Sequence, residues 1–268
     1  LTRTIVFSHA NGFPAGTYQV LFDVWQAAGW RVLALPRIGH DPAFPVTANW
    51  PRLLQELTQF IETRAPAEKV HLVGHSLGGF LSLMAACKRP DLAAQVLMLD
   101  SPVVAGWRSH SAHMARQLGL FRRWSPGRVS ERRRHQWPSA DAALAHFAAK
   151  AAFARFDERV LRDYIAAGTE PDPAAGADAV RLAFTREVET RIYDTLPVQL
   201  MRYMRRHPPQ CPVGFIGGTR SAELRQAGMA ATRALVQERL TWIEGTHLFP
   251  MEKPEEAAAA VLRSLGAA

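Results

Sequence analysis

The sequence predicts an α/β fold: a mostly parallel central sheet flanked by helices, with a helical insertion between two of its strands. Three observations predict it. Over the first hundred residues, apolar runs of strand type alternate with apolar residues at helical spacing. The alternation stops after Asp100 and resumes near Cys211. The stretch between them is rich in alanine and arginine and holds helical patterns but no convincing strand.

Ile5-Val6-Phe7 reads as the first strand, and "TYQVLFDVWQAAGW" as a helix closed by Gly29. "WRVLAL" is a strand stopped by Pro36. "TANWPRLLQELTQFIETRAP" is a helix that tolerates Pro51 in its first turn. "KVHLVG" is a strand, "SLGGFLSLMAACKR" a helix ended by Pro90, and "AAQVLMLD" a strand ended by Ser101-Pro102. Such alternation implies parallel strands joined by right-handed crossovers. Beyond the insertion come a strand in "CPVGFIGG", one helix in "SAELRQAGMAATRALVQ", a strand in "LTWIEG" and a helix in "PEEAAAAVLRSL". The expected division is therefore residues 1–102 and 210–268 as the α/β core and residues 103–209 as the helical insertion. Within the insertion, "SADAALAHFAAKAAFARFDERVLRDYIAAG" is helical and "TEPDPAAGAD" is a loop.

The 268 residues are 48% hydrophobic and 21% charged, an ordinary globular composition without an apolar run of membrane-spanning length. No basic segment followed by an apolar one opens the sequence, so a cytoplasmic location is expected. Cys87 and Cys211 are too few for a disulfide framework and read as small buried hydrophobes. The ten histidines form no zinc-spaced set, so neither metal nor cofactor is expected. The net charge is +8, and residues 108–135 carry eight arginines against one acid, Glu131. A solvated helical face accounts for that run. Nucleic-acid binding is the competing explanation, but no recognition motif accompanies it.

The chemistry sits in "VHLVGHSLGGF". A strand that breaks at Gly-His-Ser-Leu-Gly-Gly and resumes as a helix forces Ser76 above the carboxyl edge of the sheet. Gly74 and Gly78 keep the turn free of side chains, Gly79 allows close helix packing, and the helix N-terminus favours developing negative charge. A serine hydroxyl needs a base. His247, in the loop after the last strand ("IEGTHLFPMEKPEE"), reaches the same sheet edge and is the candidate. An acyl-transfer oxyanion needs two donors. The N–H of Leu77 is one, and the backbone of Ala10 or Asn11, in "SHANGFPAG" after the first strand, is the other. His75 and Phe13 are expected at the substrate site. Trp107, Trp124, Trp137, Phe147, Phe153 and Phe156 offer apolar lining from the insertion, where aromatic residues also serve as core.

With "SHANGFPAGTY", "GHSLGG", the helical insertion and "GTHLFPMEKPEE" in this order, the chain resembles the α/β-hydrolase superfamily, in its capped carboxylesterase and haloperoxidase-like branch. The resemblance covers nearly the whole chain, and in it the insertion is a cap. It implies a small-molecule acyl substrate and a Ser-His-acid triad. Two features depart from the pattern. The usual first two strands are missing, leaving six. The position expected to carry the acid, shortly after "PVGFIGG", is Ser221, and no aspartate follows Asp194. The acid is then Asp100, at the tip of "VLMLD", or Glu223. Its task is to fix the histidine tautomer. Ser76 at the elbow argues against haloalkane dehalogenases and epoxide hydrolases, which use aspartate there. The expected function is a serine hydrolase of carboxylic esters. The alternatives are a thioesterase, whose coenzyme A phosphates the arginine run would meet, a carbon–carbon bond hydrolase on the same triad, and a ligand-binding protein of low turnover. The oligomeric state is not legible.

Overall fold

The computed structural model describes residues 3–104, 130–131, 133–197 and 200–266. Six parallel strands form the main sheet: β1 (Thr4–Ser8), β2 (Arg31–Ala34), β3 (Val70–His75), β4 (Ala93–Leu99), β8 (Val213–Gly218) and β9 (Leu240–Ile243). Their spatial order is β2-β1-β3-β4-β8-β9. The chain leaves β1 in one direction and returns on its other side as β3, so the topological switch point lies between these two strands. A crevice opens there at the carboxyl ends, where ligands bind in open α/β sheets.

The central strands read as unbroken apolar runs because both faces of the sheet are covered. Successive side chains point to opposite faces. Val96 and Met98 of β4 accordingly join one apolar cluster with Val6 and Leu72, while Leu97 and Leu99 join another with Ile5, Phe7 and Val73. Helices α1 (Gln19–Ala27), α2 (Pro51–Arg64) and α3 (Leu77–Lys88) connect the first four strands. Pro51 occupies the first turn of α2, where its missing N–H costs nothing.

Between β4 and β8 the described residues contain α4 (Ala140–Ala148), α5 (Glu158–Gly168), α6 (Arg186–Asp194) and α7 (Leu200–Arg206). Ser139 caps α4 by accepting the Ala142 N–H at 3.1 Å, and Asp157 caps α5 by accepting that of Arg159 at 2.9 Å. This segment also departs from expectation. It carries a small antiparallel sheet of β5 (Gln136–Trp137), β7 (Val180–Leu182) and β6 (Thr169–Pro171), in that spatial order. Strands of two or three residues are too short to display an alternating pattern, and Pro171, a strand breaker in sequence terms, is tolerated because β6 lies at the edge. The expected helix over "SAELRQAGMAATRALVQ" is likewise two, α8 (Ala222–Ala227) and α9 (Ala230–Val236), separated at Gly228 with φ +76°. After β9 come a short turn, α10 (Phe249–Glu252), and the closing α11 (Pro254–Ser264). No helix among the described residues is long and apolar enough to cross a membrane.

Candidate active site

Ser76 follows the last residue of β3 and caps α3 with φ 54° and ψ −114°. A non-glycine residue held there costs on the order of 1–3 kcal/mol and persists only where its surroundings enforce it. Here they do. A Cβ on Gly78 would lie 1.8 Å from the Ser8 carbonyl oxygen, and one on Gly74 would lie 2.2 Å from that of Gly78. The Ser76 N–H donates to the Leu99 carbonyl at 2.9 Å, and the Ser101 hydroxyl donates to the Ser76 carbonyl at 2.8 Å. Leu77 opens α3, so its N–H has no intrahelical acceptor and points at whatever lies over the turn.

Asp100 is fully buried beyond the tip of β4, at φ 47°. The His247 Nδ1–H donates to its Oδ1 at 2.7 Å, the Ser221 hydroxyl donates to the same oxygen at 2.7 Å, and the Gly218 N–H donates to Oδ2 at 2.8 Å. The residue standing where a carboxylate was expected, Ser221, thus braces the carboxylate that does meet the histidine. Glu223 is exposed, with Oε2 3.3 Å from the Ser221 hydroxyl. Ligand atoms of Asp100, Glu223 and His247 lie within 4.8 Å of one another. Asp100 accepts three hydrogen bonds, one of them from His247, so two members of this group are already bonded to each other.

The His247 loop is held from two sides. Thr246 donates its N–H and its hydroxyl to the Glu252 carboxylate at 2.9 and 2.6 Å. The His75 Nε2–H donates to the His247 carbonyl at 2.8 Å. That bond settles the His75 tautomer: Nδ1 is an acceptor and takes the Tyr18 hydroxyl proton at 2.7 Å. The Tyr18 oxygen in turn accepts the Ala10 N–H at 3.1 Å. One chain of hydrogen bonds therefore runs from the loop after β1 to the loop after β9. Burial, with the adjoining His247 charge, pushes His75 well below the ordinary histidine value, so it stays neutral. Burial lowers His247 too. There the hydrogen bond and charge of Asp100 prevail, Glu223 adding to them, and the net pKa lies above the ordinary value.

Three expectations change. His75 is not a substrate contact: it is fully buried and both ring nitrogens are engaged. Ala10 does not offer a free N–H, because Tyr18 takes it, which leaves Asn11 as the alternative. Phe13 is half-buried and packs on Tyr164 of α5 and on Phe153 and Phe156, with ring centroids 5.5, 6.1 and 6.2 Å away. Trp137, Phe147 and Phe156 are buried core rather than lining. Trp107, Trp124 and six of the eight clustered arginines fall outside the described residues. Sequence reasoning found the position of Ser221 but not its role, and it missed Tyr18 and Ser101. All three act through contacts remote in the chain, and no local pattern marks Tyr18 or Ser101.

A sequence model of the alpha/beta hydrolase family matches residues 5–261. The chain belongs to that family. This alpha/beta hydrolase is 34% identical over 126 residues to the "Probable esterase PIR7A" of Oryza sativa subsp. indica, covering 45% of the chain and 46% of the relative. It is 27% identical over 116 residues to the monoglyceride lipase of Rattus norvegicus, covering 41% and 38%. The matched part thus spans less than half the length of these relatives. Among solved structures, E-2-(acetamidomethylene)succinate hydrolase superposes with a TM-score of 0.76 at 19% identity, covering 99% of this chain and 92% of that one. Epoxide hydrolase A from Mycobacterium thermoresistibile gives 0.65 at 20%, covering 98% and 91%. At such identities the likeness is one of fold.

Proposed function

We propose that this alpha/beta hydrolase is a serine hydrolase of carboxylic esters. Ser76 is the nucleophile, His247 the base, Asp100 the acid that orients it, and residues 103–209 a cap over the site. The proposal rests above all on the 2.7 Å hydrogen bond from His247 Nδ1 to Asp100. It fixes the tautomer in which Nε2 is unprotonated and able to accept the serine proton. The Ser76 oxygen adds to the ester carbonyl as its proton passes to His247 Nε2. The N–H groups of Leu77 and Asn11 receive the oxyanion. Collapse expels the alcohol, which takes that proton. Water, deprotonated by the same imidazole, then releases the acid and restores Ser76. Esterase and lipase relatives support the substrate class. Thioester and carbon–carbon substrates would call on the same residues.

Turnover of p-nitrophenyl esters of graded chain length tests the assignment in wild type, Asp100→Asn and Glu223→Gln. Asp100→Asn is expected to lower kcat by about 10⁴-fold, the scale seen when a triad acid loses its charge. Glu223→Gln is expected to change it less than about tenfold. The reverse ranking transfers the role to Glu223. A folded wild type inert to every ester favours a binding protein.

A further inference from the structure

A second polar feature adjoins the site and is not used by the triad. Arg133 lies just ahead of β5, and Glu189 is on α6. The Arg133 Nη1 pairs with Glu189 Oε2 at 2.9 Å and Oε1 at 3.2 Å, with side chains only 17% and 7% exposed. The pair sits on the loop after β1. A Cβ at Gly12 would lie 2.9 Å from Glu189 Oε1 and 3.5 Å from Arg133 Nη1, and Gly12 itself adopts φ +79°. The Asn11 Nδ2–H donates to the Glu189 carbonyl at 3.0 Å. The pair is therefore in direct contact with the neighbour of the amide assigned to the oxyanion.

Its other edge is unsatisfied. Among the described residues, the buried Arg133 Nε and Nη2 have no well-aligned hydrogen-bond acceptor, although the Tyr164 hydroxyl lies beside the guanidinium, and the buried Asn11 Oδ1 has no donor. Nε and Nη2 form the side-on fork of a guanidinium, which matches the two oxygens of a carboxylate. Elsewhere in this chain the same fork is filled that way. Arg89 grips Asp91 through Nε at 2.9 Å and Nη2 at 2.6 Å, and Arg159 grips Asp157 at 2.9 and 2.8 Å. Buried donors without acceptors are costly, and native structures keep few of them without a functional reason.

We infer that the Arg133 fork binds a carboxylate of the substrate, separate from the scissile ester, so that the preferred substrates are monoesters of dicarboxylic acids or esters of carboxylate-bearing alcohols. The inference rests on the esterase reading above. A ligand carboxylate shares the guanidinium with Glu189. Burial holds the Glu189 carboxyl above its ordinary range, against the opposing Arg133 charge and a hydrogen bond from Ser130.

Two matched ester pairs test it. In the first the carboxylate is on the acyl side: p-nitrophenyl hydrogen adipate against p-nitrophenyl hexanoate. In the second it is on the alcohol side: 4-acetoxybenzoate against phenyl acetate. The readout is the ratio of kcat/KM, charged over neutral, after subtraction of spontaneous hydrolysis. In wild type at least one pair is expected to give a ratio above about ten. Arg133→Met is expected to lower that ratio at least about tenfold. Arg133→Lys, which keeps the charge without the fork, should lower it at least about threefold. Wild-type ratios at or below one in both pairs overturn the inference, as does a ratio that folded Arg133→Met or Arg133→Lys leaves unchanged. Ser76-dependent turnover of the neutral esters in those circumstances leaves the esterase reading standing. Absence of all ester turnover removes both.

Discussion

At the scale of the residue, the decisive group is the His247 imidazole. It accepts a proton only when neutral, so kcat/KM must rise with pH through the imidazole pKa. Burial alone would put that midpoint below the ordinary value of about 6.5. The hydrogen bond and charge of Asp100 more than reverse it. A pH profile of ester hydrolysis is therefore expected to show its acid limb centred above about 6.5 in wild type, moving below that in Asp100→Asn, where burial acts with little opposition. The Tyr18 hydroxyl is a second residue-scale test. Tyr18→Phe strands the Ala10 N–H and His75 Nδ1 in a fully buried position. Urea unfolding should register a loss of about 1–3 kcal/mol. The proposed nucleophile and base, Ser76 and His247, stood out in the sequence because a strand, a glycine-flanked serine and a helix are contiguous, and because a histidine lies in the loop after the last strand. The acid did not, since Asp100 and Glu223 both approach the same imidazole and only coordinates separate 2.7 Å from a more remote contact. The Tyr18–His75 pair, 57 residues apart, left no local trace at all.

At the scale of the element, positions that break regular patterns hold the site. The elbow joins β3 to α3 through a strained serine, and the atoms of Ser8, Gly74 and Gly78 meet so closely that no Cβ fits between them. The longer strands of the sheet were legible as apolar runs bounded by glycine or proline, and the helices between them from their period. What escaped were the elements too short for a period, β5, β6 and β7, and the break at Gly228, whose positive φ divides one helical pattern into two. Helix α2 carries a further device. Glu56 is buried, and its Oε2 accepts the Gly39 N–H at 2.9 Å. Burial lifts its pKa to about 7, against that hydrogen bond and with the help of the Asp41 charge. Glu56 thus holds its proton more tightly folded than unfolded, where carboxyls titrate near 4.3. Its contribution to stability is complete below that value and is lost as pH rises toward 7. Glu56→Gln keeps an oxygen for Gly39 and cannot ionise. Denaturant melts at pH 5 and pH 8 should show wild type losing on the order of 2 kcal/mol that the variant retains.

At the scale of the whole molecule, the segment between β4 and β8 shares the core of the sheet. One apolar cluster joins Phe7, Tyr18 and Phe249 to Trp137, Phe147 and Tyr164, and the other joins Leu53 and Leu57 to Phe184, Ile192 and Leu200. The Trp50 indole N–H reaches across to the Ile192 carbonyl at 3.2 Å and the Thr195 hydroxyl at 3.1 Å. The sequence marks an interruption after β4 because the alternation of strand and helix stops there. That the segment beyond it is fused to both faces was not legible, because aromatic residues on short helices look alike whether they line a pocket or fill a core. The consequence is cooperative melting. Fluorescence and far-UV circular dichroism should trace a single coincident urea transition, whereas an independent cap would separate them.

Ser76 as the activated nucleophile is the central element of the proposed function. The most direct test is mass spectrometry of the protein after exposure to a fluorophosphonate. The account predicts one adduct on the peptide containing Ser76, absent in Ser76→Ala and formed far more slowly in His247→Ala. Folded wild-type protein that stays unlabelled, or an adduct on any other residue, would contradict it.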